Sequence, residues 1–225
     1  MILVNFKNYK GGVGDAAVKL AITCEKVTRE TEVPIIPVVS VVDLFVIKPR
    51  VGIPIWVQHV DGVEYGAHTG WVLPEAIVAA GGGGTLLNHS EHRLLNDEIR
   101  RSFTRAKDVG LSVCMCAADL EEATRLSQMN PDYIAYEPPE LIGSHDKSVA
   151  SEKSDVIREA VGALSVPLLI GAGIRDYNDV VVSLKLGAVG VLVSSGVVEA
   201  FDPEKELREL ARAFEEKEKK SAVIV

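Results

Sequence analysis

The sequence predicts a closed (β/α)8 barrel, eight parallel strands with outer helices, in one domain over residues 1–225. Three observations lead there. Short, β-branched apolar runs alternate with helix-spaced segments along the whole chain, the pattern of a parallel sheet. Most of these runs are apolar throughout, as strands buried on both faces are. There are eight of them in 225 residues, roughly 28 per strand–helix unit, and no Pro/Ser-rich linker divides them. A doubly wound open sheet is the structural alternative.

The elements follow in order. The first strand lies in ILVNFK, from Ile2. The GVGDAA after it matches a dinucleotide fingerprint only superficially. Asn8 to Gly11 separate it from Lys7, and the second strand ends in PVVS with no acid for a ribose hydroxyl, so it reads as a loose turn before a helix. The second and third strands lie in PIIPVVS (from Pro34) and IWVQHV (from Ile55), joined by a short crossover, VVDLFVIKPR. The next connection, DGVEYGAHTGWVLPEA, reads mostly as loop. AGGGGT lacks the Lys-Ser/Thr of a phosphate-binding loop and reads as a helix cap entering a crowded strand, GTLLNH from Gly84. In LSVCMCA, from Leu111, Cys114 and Cys116 share one face. Further zinc ligands at suitable spacing are lacking, so both read as core thiols. DYIAYE (Asp132), PLLIGAG (Pro167) and GVLVSS (Gly190) complete the strands. Gly110 and Gly187 sit where helices should end. Asp202-Pro203 opens the last helix, whose Leu207, Leu210, Ala211 and Phe214 recur at i, i+3, i+4 and i+7.

Composition limits the function. The formal net charge of −8 argues against nucleic acid and anionic membranes. It leaves room for a small anionic substrate held locally. Three cysteines, an odd number, suggest a reducing compartment. MILVNFK is too short for a signal peptide and lacks a basic start, so a cytoplasmic protein is expected.

In such a barrel, chemistry gathers where strands end. The first strand gives Asn5 and Lys7, expected at i, i+2 to point the same way. The fourth gives Asn88, His89, Ser90 and Glu91, the sixth gives Glu137, the seventh Gly171–Gly173, and the eighth Ser194-Ser195-Gly196. Small turns after the last two strands expose amides suited to a phosphate, beside a short extra helix in GVVEAF. A carboxylate, an imidazole and an ammonium suit proton abstraction next to a carbonyl, with donors for the enediolate oxygen. No metal or cofactor motif is present in the sequence. A Schiff-base aldolase would need a lysine late in the barrel, but the strand-end lysine is Lys7, on the first strand. A barrel that only binds metabolites is the rival from another class.

These residues resemble the triosephosphate isomerase family. NFK resembles its first-strand Asn-x-Lys, NHSEHR its His-Ser-Glu-x-Arg segment, and AYEPPELIGS its sixth-strand Glu-Pro with a hinged lid. GAGI and GVLVSSG resemble its phosphate turns, and GAHTG its third loop; the short length resembles the compact archaeal branch. The resemblance implies a cofactor-free isomerase of glycolysis and gluconeogenesis, interconverting dihydroxyacetone phosphate and D-glyceraldehyde 3-phosphate. Glu137 would be the base and His89 a neutral electrophile, a pairing for which that family is itself the standard example. Lys7 would supply charge, with Asn5 polarising the oxygen and Glu91 supporting. Substrate would also meet Phe6, the lid around Ile142-Gly143, Gly173, Ser194 and Ser195. Ile174 and the Ser194-Ser195 pair depart from common family residues. Glu140 and His145 depart within the lid. Pro138 and Pro139 would stiffen the lid's first hinge. Thr69 would lie at a subunit interface, in a homodimer at minimum and, from compact relatives, a tetramer.

Overall fold

All eight apolar runs form strands in the computed structural model, which describes residues 1–137 and 154–221. The strands are β1 (Ile2–Asn5), β2 (Ile35–Val39), β3 (Trp56–Val57), β4 (Gly84–Leu87), β5 (Ser112–Ala117), β6 (Tyr133–Tyr136), β7 (Leu168–Ile170) and β8 (Gly190–Val193). Neighbours in sequence pair in parallel, and β1 pairs with β8, so the sheet closes. At the seam Ile2 is level with Val191 and Leu3 with Leu192. Because every strand runs the same way, all C-terminal ends reach one rim.

Around the sheet lie α1 (Gly14–Thr31), α2 (Val41–Ile47), α3 (Pro74–Ala79), α4 (Asn96–Asp108), α5 (Leu120–Ser127), α6 (Ser154–Ala163), α7 (Tyr177–Lys185), α8 (Ser195–Val198) and α9 (Pro203–Ser221). The short extra helix expected after the eighth strand is α8. Gly110 and Gly187 adopt φ of 83° and 106°, the left-handed conformation of a helix cap. Leu207, Leu210 and Ala211 are buried on α9, with Phe214 partly buried beside them. No helix among the described residues is long and apolar enough to cross a membrane.

Period-two alternation splits the core in two. Leu3, Val38, Trp56, Leu86, Cys114, Cys116, Ala135, Leu169 and Leu192 fill the barrel interior. Residues of the other parity, such as Val4, Ile35, Val57, Leu87 and Val113, pack outward under the helices. Both cysteines are therefore core thiols, as their spacing predicts. Trp56 is large for a barrel lumen, and Gly84 makes room for it: a Cβ there would lie 2.5 Å from the indole. This is the crowding expected of AGGGGT.

The first and last long helices are also joined. Lys26 of α1 pairs with Glu204 of α9 at 2.8 Å, and Arg208 pairs with both Glu204 and Glu30. These groups are largely exposed, so the network supplements the packing of α1 on α9.

Gly84→Ala should overpack the lumen and cost about 1–3 kcal/mol. Urea unfolding followed by tryptophan fluorescence would measure it, with a lower midpoint and an altered native emission as Trp56 shifts. An unchanged midpoint would show that the lumen can absorb the methyl group.

Candidate active site

Glu137 leaves the end of β6 only 4% exposed. Its amide bonds to the Ala117 carbonyl at 2.8 Å, which continues the ladder one residue past the strand. Lumen parity with Ala135 turns its side chain inward. Gly171, on the neighbouring strand's end, clears the space: a Cβ there would lie 2.6 Å from Glu137 Cγ. Below the carboxylate lie the lumen thiols. Burial first, and then the charge of Glu137, pushes Cys114 and Cys116 well above the usual thiol range, so both stay protonated. Cys116 is also hydrogen-bonded to Glu137.

His89 faces the carboxylate from the turn after β4, with Nε2 3.4 Å from Glu137 Oε1. Its other nitrogen, Nδ1, accepts the Glu91 backbone N–H at 3.1 Å. A nitrogen that accepts carries no proton, so the neutral ring holds its hydrogen on Nε2, toward the carboxylate. Glu137 Oε2 accepts no hydrogen bond from the described residues. The site thus presents a donor and an acceptor side by side.

Lys7 reaches the same rim, but by a different route from the one its spacing suggests. β1 ends at Asn5, and Lys7 has φ of 48°, outside the strand conformation. The i, i+2 rule therefore does not place it; a turn does. Asn5 Oδ1 accepts the Lys7 amide at 3.1 Å, and Lys7 Nζ pairs with Glu91 at 2.7 Å. Phe6, between them, is a correction: its side chain is wholly buried in the outer core, so strand parity sends it away from the lumen.

Asn5, Lys7, His89 and Glu137 line one cavity of about 70 Å³ with Gly173, Ser194 and Ser195. Gly173 has φ of 66°, and Ser194 Oγ donates to the Asn5 carbonyl at 2.7 Å across the β8–β1 seam. Ile174 lines this cavity too, where it brings no hydroxyl. A wider cleft of about 550 Å³ opens beside it, reaching Tyr9, Gln58, His59 and His92. Ile142 and Gly143, like Pro138, Pro139, Glu140 and His145, lie outside the described residues. Thr69 is exposed in the connection between β3 and α3. Among the described residues no group of three or more His, Cys, Asp or Glu could hold a metal ion.

Sequence reading missed a supporting network around Asn88. This residue has φ of 61° and turns the chain into His89. Its amide donates to the Cys116 carbonyl at 3.0 Å and to Glu122 at 3.1 Å, and its Oδ1 accepts from Leu94 N at 3.1 Å. Glu122 also takes the Ala118 amide and pairs with Arg93. Burial raises the Glu122 carboxyl, but the hydrogen bonds from Arg93, Ala118 and Asn88, with the Arg93 charge, outweigh it and hold it below the usual carboxylate range. The available signal was Asp119-x-x-Glu122 at a helix start, where an acid in the first turn reads as capping. His59 and His92 were missed as well. Their rings lie 4.4 Å apart, and His59 Nε2 is 3.1 Å from Asp61. Burial lowers the His59 pKa against the opposing pull of Asp61.

A family model described as triosephosphate isomerase matches residues 1–213. Among curated proteins, the chain is 41% identical over 209 residues to a triosephosphate isomerase of Sulfurisphaera tokodaii, covering 91% of each. It is 39% identical over 217 residues to that of Methanocaldococcus jannaschii, covering 94% of this chain and 99% of the relative. It is 42% identical over 209 residues to that of Saccharolobus solfataricus, covering 91% and 92%.

The lowered Glu122 carboxyl links the rim to acid stability. Its folded pKa lies below the unfolded one, so its contribution is present above about 4.5, its ordinary value, and lost as pH falls through the folded value. Glu122→Gln should lower Tm at neutral pH and flatten the loss of stability below pH 4.5. Thermal unfolding scans between pH 3 and 7, taken at about unit intervals, would read both. Parallel curves for the two proteins would refute the linkage.

Proposed function

This chain belongs to the triosephosphate isomerase family, and from that premise we propose how its own residues carry out the interconversion of dihydroxyacetone phosphate and D-glyceraldehyde 3-phosphate. The observation that carries the assignment of roles is the pairing of a buried carboxylate with an imidazole whose proton faces it, 3.4 Å apart.

Glu137 takes a proton from C1 of the ketose. The electron pair left behind forms the C1–C2 double bond, and the C2 carbonyl oxygen becomes the enediolate oxygen. His89 Nε2–H donates to that oxygen, so the charge forms against a donor already in place. A proton then passes from the C1 hydroxyl to the C2 oxygen by way of His89, and Glu137 returns its own proton to C2 as the C1–O bond becomes the aldehyde carbonyl, so the aldose forms and the site ends as it began. Lys7 adds positive charge, and Asn5 orients the Lys7 backbone and lines the site. Glu91 holds the ammonium at 2.7 Å and, through its amide, sets the His89 tautomer. The substrate phosphate lies against the turns at Gly173 and Ser194-Ser195, where the left-handed Gly173 and the start of α8 present backbone amides.

We also propose a homo-oligomer, at least a dimer. Val42, Phe45 and Val46 are exposed at helical spacing on α2, and Tyr65 and Trp71 are exposed on either side of Thr69. Both segments begin beside the wider cleft, at Val41 and His59. Apolar side chains concentrated in this way suit contact with a second copy.

A coupled assay of triose phosphate interconversion tests the roles. Glu137→Gln should lower kcat by about 10³-fold or more, since it removes the base and keeps the shape. Wild-type inactivity would sink the isomerase reading, and equal turnover of the variant would sink the base. In sedimentation equilibrium the native protein should weigh at least twice one chain, and Phe45→Glu should weaken the assembly. A native monomer at micromolar concentration would contradict the oligomer.

A further inference from the structure

The cation of the site hangs on an unfavourable backbone. Lys7 is a non-glycine residue at φ of 48°, a conformation that side chains with a Cβ disfavour and that persists only where surrounding contacts enforce it. Three contacts surround it. Asn5 takes its amide at 3.1 Å, and Glu91 takes its ammonium at 2.7 Å. The third is the Gln58 Nε2, which donates to the Lys7 carbonyl at 3.0 Å. The preceding residue is fixed as well. Phe6 is fully buried, its amide bonds to the Val38 carbonyl at 2.9 Å, and a Cβ on Gly12 would lie 2.2 Å from its oxygen.

We infer that Gln58 is a positioning residue for the reaction, acting through Lys7: it pins the left-handed turn that aims the ammonium into the site. This rests on the isomerase reading of the site.

The geometry suits the task. Gln58 follows β3 directly, and its amide bonds to the Val39 carbonyl at 3.1 Å, so its backbone continues the sheet. It shares the lumen parity of Trp56, which turns it toward the rim. The next residue, His59, packs at a tilt against His92 and bonds to Asp61. Asp61 in turn binds the Val72 amide at 2.6 Å, so the end of β3 is held on a rigid base. The carbonyl of Lys7 offers only lone pairs, so the group facing it must be the amide NH2. Glutamine has the reach and the donor, whereas a glutamate carboxylate of the same shape would turn acceptor against acceptor. Removing the donor leaves the Lys7 carbonyl unmatched and the turn free to relax, which moves the ammonium while Lys7 itself is intact. A misplacement of about 1 Å at a reacting site can cost on the order of 100-fold in rate.

The test is a double-mutant cycle on kcat/KM for triose phosphate, with Tm measured in parallel. Gln58→Met should lower kcat/KM by about 10- to 100-fold in the Lys7 protein. In a Lys7→Met background the same change should lower it by less than about twofold, because a residue that acts through Lys7 has nothing left to position. Gln58→Glu keeps the shape and covers the case in which the methionine variant does not fold. It should be similarly impaired at neutral pH and recover part of the loss as pH falls and its carboxyl gains a proton to donate. Wild-type rates in the Gln58 variants, or equal losses in both Lys7 backgrounds, would overturn the inference. An inactive wild type would instead overturn the reading of the site on which it rests.

Discussion

The pairing of β1 with β8 is the constraint on which the rest depends. In an open sheet those strands would be opposite edges, and Lys7 and Ser194 would be separated by the full width of the molecule. Closure puts Ile2 level with Val191. At the rim it lets Ser194 Oγ bond to the Asn5 carbonyl. The same seam is secured at its base, where the Val191 amide reaches the Met1 carbonyl at 3.2 Å. A Cβ on Gly190 would lie 2.0 Å from that carbonyl oxygen, so the seam admits only glycine there. Outside it, α1 and α9 pair through Lys26, Glu204, Arg208 and Glu30. The last part of the chain is thus locked to the first, and the rim becomes a fixed ring.

Within that ring the difficult group is Glu137. Burying a carboxylate costs free energy unless its oxygens are matched. Here one oxygen faces His89, the other has no partner among the described residues, and a thiol lies beneath. The surroundings keep the acid shaped and dry without saturating it, as suits a base that must still accept a proton. The permanent ion pairs lie further out, where Lys7 meets Glu91 and Arg93 meets Glu122. These outer pairs fix the loops that carry the cation and the imidazole, leaving the central carboxylate and imidazole to the reaction.

The sheet was legible because burial on both faces forces apolar runs, and each of the eight proved to be a strand. Asn5 and Glu137 were legible for a related reason: each ends or directly follows an apolar run, and parity decides which way it points. His89 was legible from its place at a strand end, although the left-handed Asn88, and not parity, aims it. What the sequence hid lies where parity stops. Lys7 reaches the rim through a left-handed turn, so the correct location came from an incorrect geometric reason. Phe6 obeys parity and is thereby turned outward, although the motif around it pointed to the substrate. Glu122 and Gln58 act across elements, through Asn88 and the Lys7 carbonyl. Their partners are distant in sequence, and no periodicity marks them. The β3–α3 connection looked like plain loop, yet it carries the His59–Asp61 contact that anchors β3.

Among the described residues, four that are not glycine have positive φ: Lys7, Glu32, Asn88 and Asn130. Glu32 caps α1, and Asn130 lies just beyond α5, where a left-handed residue ordinarily ends a helix. Lys7 and Asn88 end no helix. Asparagine visits this region readily, but for Lys7 it costs about 1–2 kcal/mol, a sizeable share of the roughly 5–15 kcal/mol by which a domain is stable. Both lie at the rim, one aiming the ammonium and the other turning the chain into His89, and both are held by side-chain hydrogen bonds from elsewhere in the barrel. Strain of this kind survives only on a scaffold stiff enough to enforce it. The closed sheet supplies that stiffness, and so stability gained in the lumen and along the seam is used at the rim to hold a conformation at Lys7 that the chain alone would abandon.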